Sequence, residues 1–402
     1  MPENNVCIVG AGPAGVVLGL LLAKQGIQVT VLESQSDFDR DFRGDTLHAS
    51  SLEIFDQLGL AESILKLSNG RLDKFKFDTA DSKITIADFA MLETAFPFVA
   101  LIPQEKFLGF LSDEASKIPG FQLLLNAKVT GLISDSDQIK GVFYKHEGQE
   151  KKLNACLTIG ADGRGSTVRQ KANIKLGKTS PPMDVIWFKL PHSDDIAGQV
   201  AKIHFGSGSM LVMIDRGDEW QLGFVVIKGS YKSLREKGIE AFHNELLQLV
   251  PELEKSLHVI TDWSQCAILS VVTGRVEKWY QPGLLLIGDA AHVMSPVGGV
   301  GINYAIQDAV ATANLITGPL KKGNVTESDL AAVQQQRQRA TRFIQTVQAF
   351  IQKRIIANAL KTDKPFKPPL PIRILSRFSF FQRVTARVMA YGLKPEIIKY
   401  PE

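Results

Sequence analysis

Gly10, Gly12 and Gly15 are spaced as a turn that can hold a phosphate group. The first permits a tight turn, the second lets the backbone approach a pyrophosphate, and the third lets a helix pack closely on a strand. Pro13 suits the first helical turn, where a missing N–H costs nothing, and Ala14 follows it in that turn. The helix start offers unpaired N–H groups and partial positive charge. Glu33 stands 18 residues beyond Gly15, just past the apolar run 29–32. A carboxylate there accepts from a free ribose 2′-hydroxyl and repels a 2′-phosphate, which favours FAD or NAD over NADP. Two later stretches could serve the same ligand. In residues 158–169 an apolar strand ends at Asp162 and Gly163, and an aspartate beside glycines suits ribose or ribityl hydroxyls. In residues 283–316 a buried strand ends at Asp289, followed by a loop containing Pro296, Gly298, Gly299 and Gly301. A helix from Asn303 then points its positive end at whatever the loop holds.

The elements that must position these residues read as an α/β chain. Parallel strands are expected near 6–9, 29–32 and 284–287, with a short helix from Ser50 capped reciprocally by Glu53. Residues 72–101 read as a β-hairpin insertion, and helical spacing returns at 104–118. Strands follow near 121–125 and 129–133. Residues 183–272 read as successive antiparallel strands, the last two being HVITDW and CAILSVV, with one helix over 234–249. Amphipathic helices over 330–360 and 372–390 close the chain. The expected domains are 1–71, 102–178 and 274–325 for the nucleotide, 72–101 and 179–273 for a substrate, and 326–402 as a helical C-terminal region.

The 402 residues are 45% hydrophobic, enough for two or three domains with real cores. Net charge is +4, unevenly spread: from Arg337 onward 14 Lys/Arg face 3 Asp/Glu, giving +11, against −7 before it. Three scattered cysteines without metal spacing suggest a reducing compartment and no metal site. The polar start MPENN predicts no signal peptide, and the uncharged run 6–23, with its glycines and proline, fits a βα turn better than a bilayer span. A cytoplasmic location is expected. Nothing suggests nucleic acid, and for the basic tail packing on the protein is preferred over contact with anionic lipid.

GAGPAG, GADGRGSTVR and GDAAHVMSPVGGVGIN together resemble the FAD-dependent aromatic hydroxylases, the para-hydroxybenzoate hydroxylase-like flavoprotein monooxygenases, over roughly residues 5–355. The resemblance implies a Rossmann-like FAD-binding domain with an inserted, mostly antiparallel substrate domain. It implies that Gly10, Gly12, Gly15 and Glu33 hold the ADP half of FAD. Arg43, by itself an ordinary loop arginine, becomes a cofactor contact, and Val129 would meet the adenine through its main chain. Asp162 and Gly163 would serve FAD and NAD(P)H, Asp289 the ribityl chain, and Pro296, Gly298, Gly299, Gly301, Ile302 and Asn303 the flavin ring. Gln104 departs from the family, where an arginine is common. The chain also ends without the thioredoxin-like extension of some phenol hydroxylases.

The implied activity uses NADH or NADPH, bound transiently, and O₂ to hydroxylate an aromatic or planar, electron-rich small molecule through a flavin C4a-(hydro)peroxide. No side-chain acid or base is required, and His292 is read as a support for its loop. His204, Met213, Trp220 and Phe224 are candidate substrate contacts from strand alternation. A reductase of the same fold and a non-catalytic flavin-binding accessory protein are the alternatives. A halogenase is disfavoured because Trp279 is followed by Tyr280, Gln281 and Pro282 rather than a paired tryptophan.

Overall fold

The computed structural model describes residues 5–39, 45–79, 81–192, 200–217, 219–362 and 364–399. Arg43 lies outside the described residues. Asn5–Val9, Pro13–Lys24 and Gln28–Leu32 are the strand, helix and strand read from the first glycine turn. Asn5–Val9 lies inside a six-stranded sheet, flanked by Leu157–Gly160 and Gln28–Leu32, with Leu284–Leu286 and Phe121–Leu124 outside them, all parallel. Only the edge strand Tyr280–Gln281 runs the other way. Gly10, Asp162 and Asp289 therefore all follow the carboxyl ends of adjacent strands, where such sheets bind ligands.

Strands of this kind must be covered on both faces. Pro13–Lys24 packs with Gly301–Lys321 and Gln104–Ser116, while the meander Lys128–Asp135, Gln138–His146 and Gln149–Asn154 lies against the strands. Residues 14–23 of Pro13–Lys24 are all buried, so its apolar run is a core helix. Among the described residues no helix is long and apolar enough to cross a membrane.

A second sheet of seven strands unites two distant parts of the chain. Its order is Ala267–Ser270, Met183–Pro191, Glu219–Ile227, Met210–Asp215, Val200–Phe205, Lys74–Thr79 and Ser82–Asp88. Every pairing is antiparallel except Val200–Phe205 with Lys74–Thr79, which is parallel and joins the hairpin to the later strands. One face packs Ile186, Phe188, Leu211 and Leu222 against Phe242 and Leu246 of helix Ile239–Leu249. The other packs Met183, Val185, Met210 and Val225 with Ile355, Ile356 and Phe366 from the C-terminal region.

Several local expectations change. The single helix over 234–249 is two, Tyr231–Glu236 and Ile239–Leu249, because Gly238 takes φ +93° between them. HVITDW is no strand; residues around it form short helical turns up to Trp263–Gln265. The Ser50/Glu53 capping box does not form, since the helix starts earlier, as Ala49–Gln57, and both side chains have distant partners. Ser50 donates to the Ala390 carbonyl at 2.6 Å, and Glu53 accepts from Thr94 and Tyr391. The second C-terminal helix is split into Leu370–Leu375 and Ser379–Tyr391. That last segment returns to the nucleotide domain, where the Ile398 N–H donates to Gln57 at 2.9 Å and Asn314 donates to the Ile397 carbonyl at 2.8 Å, while Glu396 meets the fully buried Arg337 at 3.3 Å.

Candidate flavin site

The three motif glycines do different work. A Cβ on Gly10 would sit 2.6 Å from the Ala161 carbonyl oxygen, and one on Gly15 would sit 1.9 Å from that of Gly10, so both serve backbone packing. A Cβ on Gly12 meets nothing within 4 Å. Gly12 thus faces open space at the start of Pro13–Lys24, a helix with no side-chain cap. An anion placed there finds bare N–H groups and the positive end of the helix. Glu33 is buried beside it, accepting from the Ala11 N–H at 2.9 Å and the Gln35 N–H at 3.1 Å. Its carboxylate is held against the glycine turn by these bonds. Ala127 donates to the Glu33 carbonyl at 2.7 Å, which brings Val129 to the same end of the sheet.

Gln104 opens helix Gln104–Ser116, and its buried Oε1 has no partner among the described residues. An orphaned amide oxygen is a binding group awaiting a donor. The open Gly12 cradle, the positioned Glu33 and this oxygen together fit an extended dinucleotide.

The middle motif is bound to the late one. Arg164 pairs with Asp289 at 3.2 Å, and the buried Arg169 donates to the carbonyls of Ala290 at 2.9 Å and Arg164 at 2.7 Å. Asp162 turns inward: it accepts from Ser166 Oγ at 2.5 Å and the Val168 N–H at 3.0 Å, and so holds the start of helix Thr167–Lys171. Burial raises its carboxyl above the ordinary range. Its carboxylate is therefore engaged in the fold of the motif, while Gly163, with φ +79° and no atom within 4 Å of a Cβ, leaves the backbone bare. The reading of Asp162 as a direct hydroxyl acceptor has to share that carboxylate with the turn. Arg164 and Arg169 were not singled out in the sequence; their signal is the arginine pair inside GADGRGSTVR.

Gly288 is fixed from behind. Its N–H donates to Asp308 at 3.0 Å, and the same buried carboxylate meets His292 Nε2 at 2.5 Å and Arg337 Nε at 2.9 Å. Burial pushes Asp308 up, but His292 and Arg337 outweigh it and hold it below the usual carboxylate range. His292 is 1% exposed, a support rather than a base in reach of solvent.

The 296–303 loop is clamped to the strand Thr46–Leu47. Gly298 and Gly299 take φ +82° and +62°, conformations side chains rarely adopt. Thr46 Oγ1 donates to the Gly299 carbonyl at 2.8 Å. Asn303 uses its whole amide: Oδ1 accepts from the His48 N–H at 2.9 Å and Ser51 Oγ at 2.7 Å, and Nδ2 donates to the carbonyls of Thr46 at 3.1 Å and Gly299 at 3.3 Å. Gly301 and Ile302 form the first turn of Gly301–Lys321, again without a side-chain cap. Behind the clamp, burial depresses His48 to about 4 and raises Asp45 to about 6, the latter despite Arg216 at 2.9 Å.

The four sequence candidates for substrate contact fall elsewhere. Met213, Trp220 and Phe224 pack into the cluster beneath Ile239–Leu249, and His204, paired with Leu211 of that cluster, shares their face. The opposite face carries Trp187, Val212 and Leu269, packed against the same cluster as Val297 of the flavin loop. Trp187 lies across Gly223, whose Cβ would approach its ring to 2.9 Å, and its buried Nε1–H has no partner among the described residues. Alternation pairs residues on a face but cannot say which face meets the loop. A cleft of about 760 Å³ opens at Asn69, Arg71, His192 and Asp215. It has no residue of the 296–303 loop in its wall and lies beyond the strand Val99–Leu101 from Thr46.

A family model described as an FAD binding domain matches residues 3–347. The 6-methylpretetramide 4-monooxygenase of Streptomyces rimosus is 30% identical over 392 residues, covering 97% of this chain and 93% of that protein. Pentachlorophenol 4-monooxygenase of Sphingobium chlorophenolicum is 26% identical over 76% of this chain, which spans 57% of that longer relative. Among solved structures, p-nitrophenol 4-monooxygenase PnpA of Pseudomonas putida DLL-E4 superposes with a TM-score of 0.76 at 21% identity, covering 96% of this chain and 95% of that one, a likeness of fold. The open glycine cradle, the clamped late loop and these matches converge: the chain is an FAD-binding enzyme that belongs to the FAD-dependent aromatic hydroxylase family of monooxygenases.

Proposed function

We propose that this protein uses NADH or NADPH and O₂ to hydroxylate a planar aromatic small molecule held between the seven-stranded sheet and the 296–303 loop. The observation that carries the reading is the run of sites along the carboxyl ends of one sheet, from open Gly12 past Asp289 to a loop whose Val297 packs on the same apolar cluster as the seven-stranded sheet. In this reading the ADP half of FAD is held by Gly10, Gly12, Gly15 and Glu33, the ribityl chain by Asp289, and the ring by residues 296–303. FAD held there would relay two electrons from NADH or NADPH to O₂, one oxygen atom going to the substrate and the other, with two protons, to water.

The chain's own residues bind, orient and exclude water. The uncapped start of Gly301–Lys321 stabilises negative charge over the loop, a contribution of about 0.3–1 kcal/mol in exposed settings and more when buried. Trp187, Val212 and Leu269 form the apolar wall, and the Trp187 indole N–H is the polar group that would fix the orientation of a phenolic or carbonyl oxygen. The domain division follows: 1–71, 102–178 and 274–325 for FAD, 72–101 and 179–273 for substrate, and 326–402 as a covering helical region. One nucleotide unit of this kind is present among the described residues, so the nicotinamide is a transient visitor.

The test is purification with FAD content measured, then NADH and NADPH oxidation followed with a panel of phenols and polycyclic aromatics under ¹⁸O₂. A product carrying one labelled oxygen supports the reading. Substrate reduction without oxygen insertion refutes it in favour of a reductase.

A further inference from the structure

Leu370–Leu375 and Ser379–Tyr391 present a surface that the FAD chemistry leaves unused. Leu370, Ile374 and Phe378 recur every four residues and are 64%, 48% and 59% exposed. Beside them Phe380 is 72% exposed and Val384 40%. These side chains project outward from the helices while Ala386 and Ala390 of the same segment are buried. So large an apolar display on a protein surface marks a contact site.

Its neighbours are cationic. Arg373, in the helix, and Arg377, in the turn after it, flank the stripe and line a cavity of about 300 Å³ with Ser82, Lys83, Thr85, Ser376 and Gln382. Among the described residues, no carboxylate lies within ion-pair distance of Lys83, Arg373 or Arg377. Two acids stand at the rim, each already paired: Asp81 with Lys367 at 3.2 Å and Glu93 with Arg383 at 3.5 Å. Residues 364–399 hold 8 Lys/Arg against Glu396 alone, and Glu396 is buried on Arg337.

We infer that this face docks the protein on an anionic lipid bilayer, with the exposed apolar side chains in the acyl boundary and the Lys83, Arg373 and Arg377 pocket on a lipid phosphate. Projecting Leu, Ile and Phe interleaved with arginine suit an interface in which apolar insertion and anionic attraction act together. A soluble anion would use the pocket and leave the stripe idle. An acidic protein would satisfy the arginines but give Phe378 and Phe380 no apolar phase. The docked face also adjoins the sheet surface described above, because Ile372 packs on the same cluster as Trp187 and Val297. The inference stands independently of the substrate proposed.

The experiment is flotation of the full-length, FAD-loaded protein with vesicles of phosphatidylcholine alone and with about one-third phosphatidylglycerol, at low and high salt. Wild type should float with the anionic vesicles only, and high salt should weaken it. The pairs Arg373→Glu/Arg377→Glu and Phe378→Ser/Phe380→Ser should each lower the bound fraction by tenfold or more while melting temperature and NADH oxidation stay unchanged. The phenylalanine pair decides the matter if the arginine pair melts early. The inference is overturned if wild type ignores anionic vesicles, or if the phenylalanine pair floats as wild type does. It is overturned equally if inorganic phosphate or polyglutamate binds wild type while vesicles do not.

Discussion

Gly12→Ala and Gly15→Ala should fail in opposite ways, although both remove a glycine of one motif. At Gly12 the backbone has φ −75°, open to any residue, and the new methyl has no atom within 4 Å. The apoprotein should therefore keep its stability, or gain about 0.4–1 kcal/mol because the unfolded chain loses freedom. The methyl would stand where the pyrophosphate must approach, removing one charged hydrogen bond of about 1.5–3 kcal/mol. At about 1.4 kcal/mol per decade, FAD affinity should drop roughly 10- to 100-fold. At Gly15 the methyl lies 1.9 Å from the Gly10 carbonyl oxygen and 3.3 Å from Ile8 Cγ2. Restoring a carbon–oxygen separation of about 3.3 Å means moving the helix by more than roughly 1 Å. In a close-packed core that costs about 1–3 kcal/mol or more, with or without FAD. Urea melts of both apoproteins and fluorescence titration with FAD separate the cases. Equal loss of apoprotein stability in both variants, or native FAD affinity in Gly12→Ala, would refute the division of labour.

Three further outcomes follow from the clamp, the wall and the buried loop. Asn303→Ala strips four hydrogen bonds and leaves the His48 N–H, the Ser51 hydroxyl and the Thr46 carbonyl to find new partners, so melting should show a loss of about 2–3 kcal/mol and kcat should fall. Trp187→Phe keeps the ring but removes the N–H; KM for the aromatic substrate should rise several-fold while FAD content and NADH oxidation without substrate stay unchanged, and an unaltered KM would remove Trp187 from the wall. His48 falls from an ordinary 6.5 to about 4, so the unfolded chain binds the extra proton and stability is lost as pH drops from 6.5 to 4, by up to about 3 kcal/mol. Asp45 rises from 3.8 to about 6, so the folded chain binds the extra proton and stability grows as pH drops through 6 to 4, by a similar amount. The two offset in wild type; His48→Gln should make acidification stabilising over that window, and Asp45→Asn should make it destabilising, each read from urea midpoints at pH 4, 5 and 6.5.

Much of the flavin site was legible because its signals are local. A glycine turn, a strand-end aspartate and a glycine-rich loop are backbone requirements, and backbone conformation is encoded within a few residues. The glycine turn likewise showed the helix Pro13–Lys24, and strand patterning showed most strands of residues 183–270. Three things depended on distance. Helix boundaries moved where side chains had remote partners, as with Ser50, whose hydroxyl bonds Ala390 rather than its own helix. The seven-stranded sheet needed the parallel pairing of Val200–Phe205 with Lys74–Thr79, which no local turn specifies. Which face of that sheet meets the flavin loop was beyond alternation, because period two gives Met213 and Val212 opposite faces without naming the covered one. The chain alone therefore determined the cofactor, since the groups that recognise FAD are short motifs carried by strand ends. Tertiary structure decided the clamp at Asn303, whose partners His48 and Ser51 stand 255 and 252 positions away and are brought to it only by packing.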